Sequence, residues 1–242
     1  MIKKVIISTA ILLFAVLLVA LGLLQASRST SFQFFGEIVP RVESQEKLVA
    51  LTFDDGPTQG KTQQILEILA SHDVKSTFYL VGSAMERNPV LAELIWQAGH
   101  EIGNHSYTHS RMLFKPYDFV SDEIEKTTAI IRQSGYERNI TFRPPYGKKL
   151  FVLPYYLSEA GMTSVMWDLA PDSDLPLNAE PEAIADYAIE HIQPGSIILM
   201  HVMFDARKNS MEAVPQIIEG LKEKGYRFVT VSELIEAGSS GA

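Results

Sequence analysis

From residue 48 onward, short apolar runs alternate with amphipathic stretches, and no other property of the sequence limits the fold as tightly. Strand-like runs fall at 48–53, 76–81, 101–104, 141–143, 164–167, 196–200 and 228–231. Between them lie helical patterns at 62–70, 89–98, 117–134, 153–160, 181–191 and 211–224. Strands separated by helices are joined by crossovers and lie parallel, which makes the class α/β, either an open sheet or an incomplete barrel. A chain of 242 residues with 46% apolar residues can build one such core.

The N-terminus is different. Lys3 and Lys4 precede an apolar segment from 5 to 24, which at helical rise matches the ~30 Å hydrocarbon layer. Leu23-Leu24-Gln25-Ala26 offers a poor small-x-small cleavage site, so an uncleaved anchor is favoured, with a cleaved signal as the alternative. Positive charge on its N-terminal side leaves the remainder outside the cytoplasm, either held on the cytoplasmic membrane or secreted or periplasmic after cleavage. The expected organisation is an anchor or signal segment at 1–27, a linker at 28–46, a folded domain at 47–238 and a tail at 239–242. The chain has a formal charge of −8 and no cysteine. Nucleic acid is thereby disfavoured as a partner, and disulfides, thiolate metal sites and lipidated cysteines are excluded.

The first strand-like run ends in Asp54-Asp55-Gly56-Pro57. Two carboxylates at a strand's C-terminal end can turn into one cleft, where they repel unless a cation lies between them. His105 and His109 follow a later run four residues apart, a spacing that on a helical turn puts both imidazoles on one face. With Asp55 they form a two-histidine, one-carboxylate set with open positions, a common arrangement for hydrolytic zinc. A zinc peptidase would need Glu beside the first histidine, where this chain has Ser106. Arg143-Pro144-Pro145-Tyr146-Gly147 offers a rigid backbone that can aim an N–H at an oxyanion, and Arg143 can pair with Asp54. Trp167 ends the fifth run, Asp172 and Asp174 come just after it, and His201 directly follows the sixth. In a parallel sheet these run ends share a rim.

From 48 to 234 the sequence resembles the polysaccharide deacetylases, the nodulation-type domain of carbohydrate esterase family four, most specifically at 52–57, 105–109 and 143–147. The resemblance implies a distorted, incomplete (β/α)7 barrel. It also implies one divalent metal, usually zinc and sometimes cobalt or another ion, on Asp55, His105 and His109. Asp54 is then the general base, oriented by Arg143, and His201 the general acid. The Tyr146 N–H would help hold the oxyanion, and Leu199 would wall the acetyl methyl. Two departures stand out. The family's Asp-Trp pair after the fifth strand lacks its Trp, leaving Asp172 or Asp174 to tune His201, and the family's Asp after the acid histidine is Val202.

The expected activity is removal of N-acetyl groups from an extracytoplasmic N-acetylglucosamine glycan, peptidoglycan ahead of chitin-type oligomers, by a monomer. Tyr107, Tyr146, Trp167 and Phe204 are candidates for stacking on sugar rings. The alternatives are an O-acetyl sugar esterase using the same site and a non-catalytic glycan-binding domain. A non-haem iron oxygenase shares the ligand types but not the alternating pattern.

Overall fold

The computed structural model describes residues 2–240; Met1 and the tail positions Gly241 and Ala242 lie outside the described residues. Its strands are β1 (Ile38–Val39), β2 (Leu48–Asp54), β3 (Thr77–Leu80), β4 (Glu101–Asn104), β5 (Ser164–Val165), β6 (Ile197–Met200) and β7 (Arg227–Phe228). The helices of the first two thirds of the chain are α1 (Ile2–Arg28), α2 (Lys61–Ser71), α3 (Gly82–Arg87), α4 (Pro89–Gln97), α5 (Tyr117–Gln133) and α6 (Val152–Glu159). After them come α7 (Pro171–Asp174), α8 (Pro181–His191), α9 (Lys208–Glu223) and α10 (Val231–Ser240).

The strands pair in parallel in the order β4-β3-β2-β6, with β7 along the first residues of β2 and β1 beside β5. Phe142 bridges Asn104 on one side and Ser164 on the other, and Leu169 bridges Ile198. The result is the distorted, incomplete (β/α)7 barrel of an α/β fold. The expected strand at 141–143 shrinks to a bridge because Pro144 and Pro145 have no N–H to continue a ladder.

Side-chain alternation sorts the strands into an outer and an inner face. Val49, Leu51 and Phe53 of β2 join Ile65, Ile95 and Val214 from the surrounding helices in the main core. Ala50 goes the other way, into a smaller cluster with Tyr79, Val165 and Ile197 that Val231 and Leu234 of α10 close from below. The Tyr79 ring requires glycine on the neighbouring strand: a Cβ at Gly103 would lie 2.4 Å from it.

Between β5 and β6, beside the Leu169–Ile198 bridge, the stretch expected to be a linker adds its own pairing to the wall. β1 lies against β5, and Arg41 bridges Ser196 in antiparallel fashion. The Val42 N–H donates to the Gly195 carbonyl at 3.0 Å. Gly195, at φ 80°, passes so close that a Cβ would fall 1.8 Å from the Val42 oxygen. α3, α7 and α10 answer to none of the expected helical patterns, and α10 takes in Ser239 and Ser240 of the expected tail. Within α1, the segment Ile6–Arg28 is long and apolar enough to cross a membrane, with a mean hydropathy of 2.8.

Candidate active site

The C-terminal ends of the strands converge on a cleft of about 550 Å³. Asp54 is the last residue of β2, and Asp55 follows at φ 70°. Neighbouring side chains on an extended strand diverge; this left-handed turn brings both carboxylates to the cleft.

His105 and His109 also meet there, but the expected helical turn is a loop, with Ser106 at φ 64° and His109 at φ 57°. Side chains take the N–H groups that a helix would give to carbonyls. Ser106 N–H donates to Asn104 Oδ1 at 2.9 Å, and His109 N–H to Ser106 Oγ at 3.1 Å. The buried Glu123 of α5 accepts from the N–H groups of Tyr107 and Thr108 at 3.0 and 2.8 Å and from the Thr108 hydroxyl at 2.8 Å.

Asp55, His105 and His109 each present a ligand atom within 4.8 Å of the others. His109 Nε2 is 3.3 Å from Asp55 Oδ1; His105 Nε2 is 4.0 Å from that oxygen and 3.6 Å from Asp54 Oδ2. His105 Nδ1 lies 2.7 Å from the Arg143 carbonyl oxygen, which can only accept, so Nδ1 carries the proton. Nε2, turned toward two carboxylates, is then the ring atom left to ligate a cation. A cation in that space turns the repulsion into coordination, and the carbonyl contact is the usual outer support of a metal-binding histidine. Burial, then the neighbouring His105, holds the His109 pKa below its ordinary 6.5 and favours the neutral ligand form. The donor set fits a divalent metal.

Behind Asp54 stands Arg143, fully buried. Its Nη1 donates to Asp54 Oδ1 and to Thr52 Oγ1, each at 2.7 Å, and its Nε and Nη2 donate to the Val165 and Met166 carbonyls at 3.3 and 2.9 Å. The guanidinium also lies 4.0 Å from the Tyr79 ring centroid. Thr52 sends its own proton to the Ile198 carbonyl at 2.7 Å and so accepts from Arg143. With Oδ1 occupied, Oδ2 is the Asp54 oxygen on the His105 side of the cleft.

On the other side, His201 follows β6. Its N–H donates to Asp172 Oδ2 at 2.7 Å, and its Nδ1 is 3.3 Å from Asp172 Oδ1. Burial works to lower the His201 pKa, but the Asp172 carboxylate, aided by Asp54 and Asp55, overcomes it and holds the pKa above 6.5. Burial likewise works against the Asp172 charge, and His201 with Arg207 overcomes that and holds its pKa below 3.8. Of the two aspartates left open by the sequence, the α7 turn delivers Asp172 to the imidazole. Asp174 turns back to accept from the Ala170 N–H at 3.3 Å.

Tyr146 sits at φ 57°, ψ 15°, with its ring 4.6 Å from that of His109. Trp167, Leu199 and Phe204 line the cleft with it. Tyr107, a candidate for sugar stacking, does not: its hydroxyl donates to Glu86 and Lys126 lies over its ring. Four further residues serve the site: Thr52, Glu123, Arg207 and Ser173, whose hydroxyl lies 3.4 Å from His201 Nδ1. Strand alternation would have put Thr52 on the Asp54 face; nothing local marked the other three.

A sequence profile of polysaccharide deacetylases matches residues 41–165. A Bacillus cereus peptidoglycan-N-acetylglucosamine deacetylase is 33% identical over 204 residues, covering 83% of this chain and 93% of the relative. A solved peptidoglycan N-acetylglucosamine deacetylase superposes with a TM-score of 0.76 at 33% identity, covering 81% of this chain and 92% of that one. A family-four pseudoenzyme from Bacillus anthracis superposes with a TM-score of 0.74 at 32% identity, covering 84% of this chain and 69% of its own.

Proposed function

Because the chain belongs to the polysaccharide deacetylase family, carbohydrate esterase family four, whose relatives here are deacetylases of glycans, we propose that it hydrolyses the acetamide of N-acetylglucosamine units in peptidoglycan, with chitin-type oligomers as the second choice. α1 would hold it in the cytoplasmic membrane with the barrel outside. The observation that carries this reading is the grouping of Asp55, His105 and His109 between Asp54, braced by Arg143, and His201, braced by Asp172.

Asp55 and the Nε2 atoms of His105 and His109 would hold the metal, zinc as first choice, which supplies Lewis acidity to the acetyl carbonyl and the attacking water. Asp54 Oδ2 takes the proton of that water as its oxygen bonds to the carbonyl carbon. The Tyr146 N–H donates to the developing oxyanion, while Leu199 and Trp167 flank the methyl group. His201 then gives its Nε2 proton to the amine nitrogen as the C–N bond breaks, yielding acetate and a free amino sugar. An amine leaves poorly unless protonated, so the raised His201 pKa suits this step.

A non-catalytic reading draws support from the similarity to a pseudoenzyme and from Val202, buried where the family often has Asp. It is countered by Asp172, which supplies the carboxylate to His201 from a different position. Acetate release from defined N- and O-acetylated sugars, with metal-stripped and zinc-restored protein, separates the possibilities. Zinc-dependent release from N-acetylglucosamine polymers is expected. Release from O-acetyl sugars alone would mean an esterase, and bound zinc with no release from any of them a binding domain.

A further inference from the structure

Phe32, Phe34, Phe35, Phe151 and Tyr155 stand together where α1 meets the barrel, each 41–47% exposed. They pack on one another: Phe34 on Phe151 with centroids 4.6 Å apart, Phe35 on Tyr155 at 5.6 Å, Phe32 on Phe34 at 5.2 Å. Single exposed apolar residues are ordinary; a contiguous group marks a contact surface.

Continuity with α1 says what covers it. The apolar helix ends at Arg28, just before the first of these rings, and its exit is fixed to the barrel. The Ser27 carbonyl accepts from the Lys149 N–H at 3.3 Å, and the Ser29 carbonyl accepts from the Lys149 ammonium. Cations collect at the same edge of an otherwise acidic protein: burial, then the charges of Arg28 and Arg111, lowers the pKa of Lys148. Aromatic rings beside Lys and Arg at the end of an apolar helix suit the layer where lipid headgroups meet acyl chains, rings at the boundary and cations at the phosphates.

We propose that this aromatic and basic patch rests in the anionic headgroup layer of the bilayer crossed by α1, so that the barrel is docked on the membrane rather than tethered above it. The proposal rests on the reading of α1 as a retained anchor. Its consequence for the cleft is positional. Phe151 and Lys148 share a loop with Tyr146 on the cleft wall, and Arg111 lies 5.0 Å from the Tyr146 ring centroid. The docked edge therefore adjoins the cleft, and substrate is taken beside the lipid surface.

The absence of cysteine makes the test direct. Full-length protein with a single spin-labelled cysteine, Phe34→Cys, Phe151→Cys or, as the control, Glu67→Cys on α2, is reconstituted into vesicles containing phosphatidylglycerol. Docking requires the labels at 34 and 151 to become severalfold less accessible than the label at 67 to a water-soluble nickel relaxant, and more accessible to membrane-dissolved oxygen. Equal nickel access at all three positions, with α1 inserted, would overturn it. So would protection from nickel without a gain in oxygen access, which would mean a second copy or another protein covers the patch. Hydrogen exchange of the unsubstituted chain in the same vesicles gives an independent check; it must show protection at 32–35 and 149–155. If the chain washes off the vesicles, the anchor fails and docking with it, while acetate release still reports on the hydrolase.

Discussion

Replacing Asp172 by Asn removes a charge from His201 while keeping an oxygen for its backbone N–H, 2.7 Å away in the native protein. The lost attraction can be sized from the 3.3 Å separation of Nδ1 and Oδ1. Coulomb's law at an effective dielectric of ~20 gives about 5 kcal/mol, a ceiling. The His201 side chain is 21% exposed, and solvent screening brings the effect toward the range usual for paired groups, roughly 1–3 pH units. Asp172→Asn should therefore move the alkaline limb of kcat/KM down by about that amount, since the general-acid role proposed for His201 needs the protonated ring and Asp172 holds its pKa up. A displacement of two units corresponds to about a hundredfold loss on the alkaline side, largely recovered near the acid side of the profile. The assay is acetate release from an N-acetylglucosamine oligomer across pH, with metal saturating. An equal loss at every pH with the limb unmoved would make Asp172 a structural prop and refute the reasoning. Stability follows the same linkage. A raised imidazole pKa stabilises fully below its ordinary 6.5, and the gain is lost as pH rises through the folded value. A depressed carboxyl pKa stabilises above its ordinary 3.8, and the gain is lost as pH falls through the folded value. The thermal-stability gap between native and variant protein should thus be widest between those two values.

Asp54→Asn should bind added zinc as the native protein does, measured by elemental analysis, and lose turnover by roughly 10²–10⁴-fold, the usual contribution of a general base; near-native acetate release would remove Asp54 from the proposed role. Arg143→Met leaves the Asp54 carboxylate buried without its partner and should cost about 3–5 kcal/mol in urea unfolding, so a change below ~1 kcal/mol would contradict the account of its bonds. Glu123→Ala frees the loop that carries His109 and should weaken zinc affinity roughly 10–100-fold, with kcat at saturating zinc largely retained; unchanged affinity in a chelator competition would show that the loop holds itself. Chelation should abolish acetate release, and added zinc should restore it; full activity in the metal-free protein would discard the coordination scheme.

Which features were legible in the sequence follows from how local their causes are. Strand ends and the polar residues they carry into the cleft could be read because an apolar run broken by Asp54-Asp55, or followed by His201, reports its own geometry. The loop of His105 and His109 could not, since its shape depends on Glu123, a helix away, taking two of its N–H groups. Asp172 and Asp174 are equivalent on paper and separate only because the short α7 turn points one at His201 and the other at its own N-terminus. The stretch at 28–46 looks like a linker because the partners that order Ile38, Val39 and Arg41 lie more than a hundred residues further on.

That long-range seam also governs when the barrel can form. The residues that seal it leave the ribosome early, yet Val42 must wait for Gly195 and Ile38 for Ser164 before either has anything to hold. Closing so large a loop is slow, so the opening between β5 and β6 should be among the last parts of the wall to set during folding.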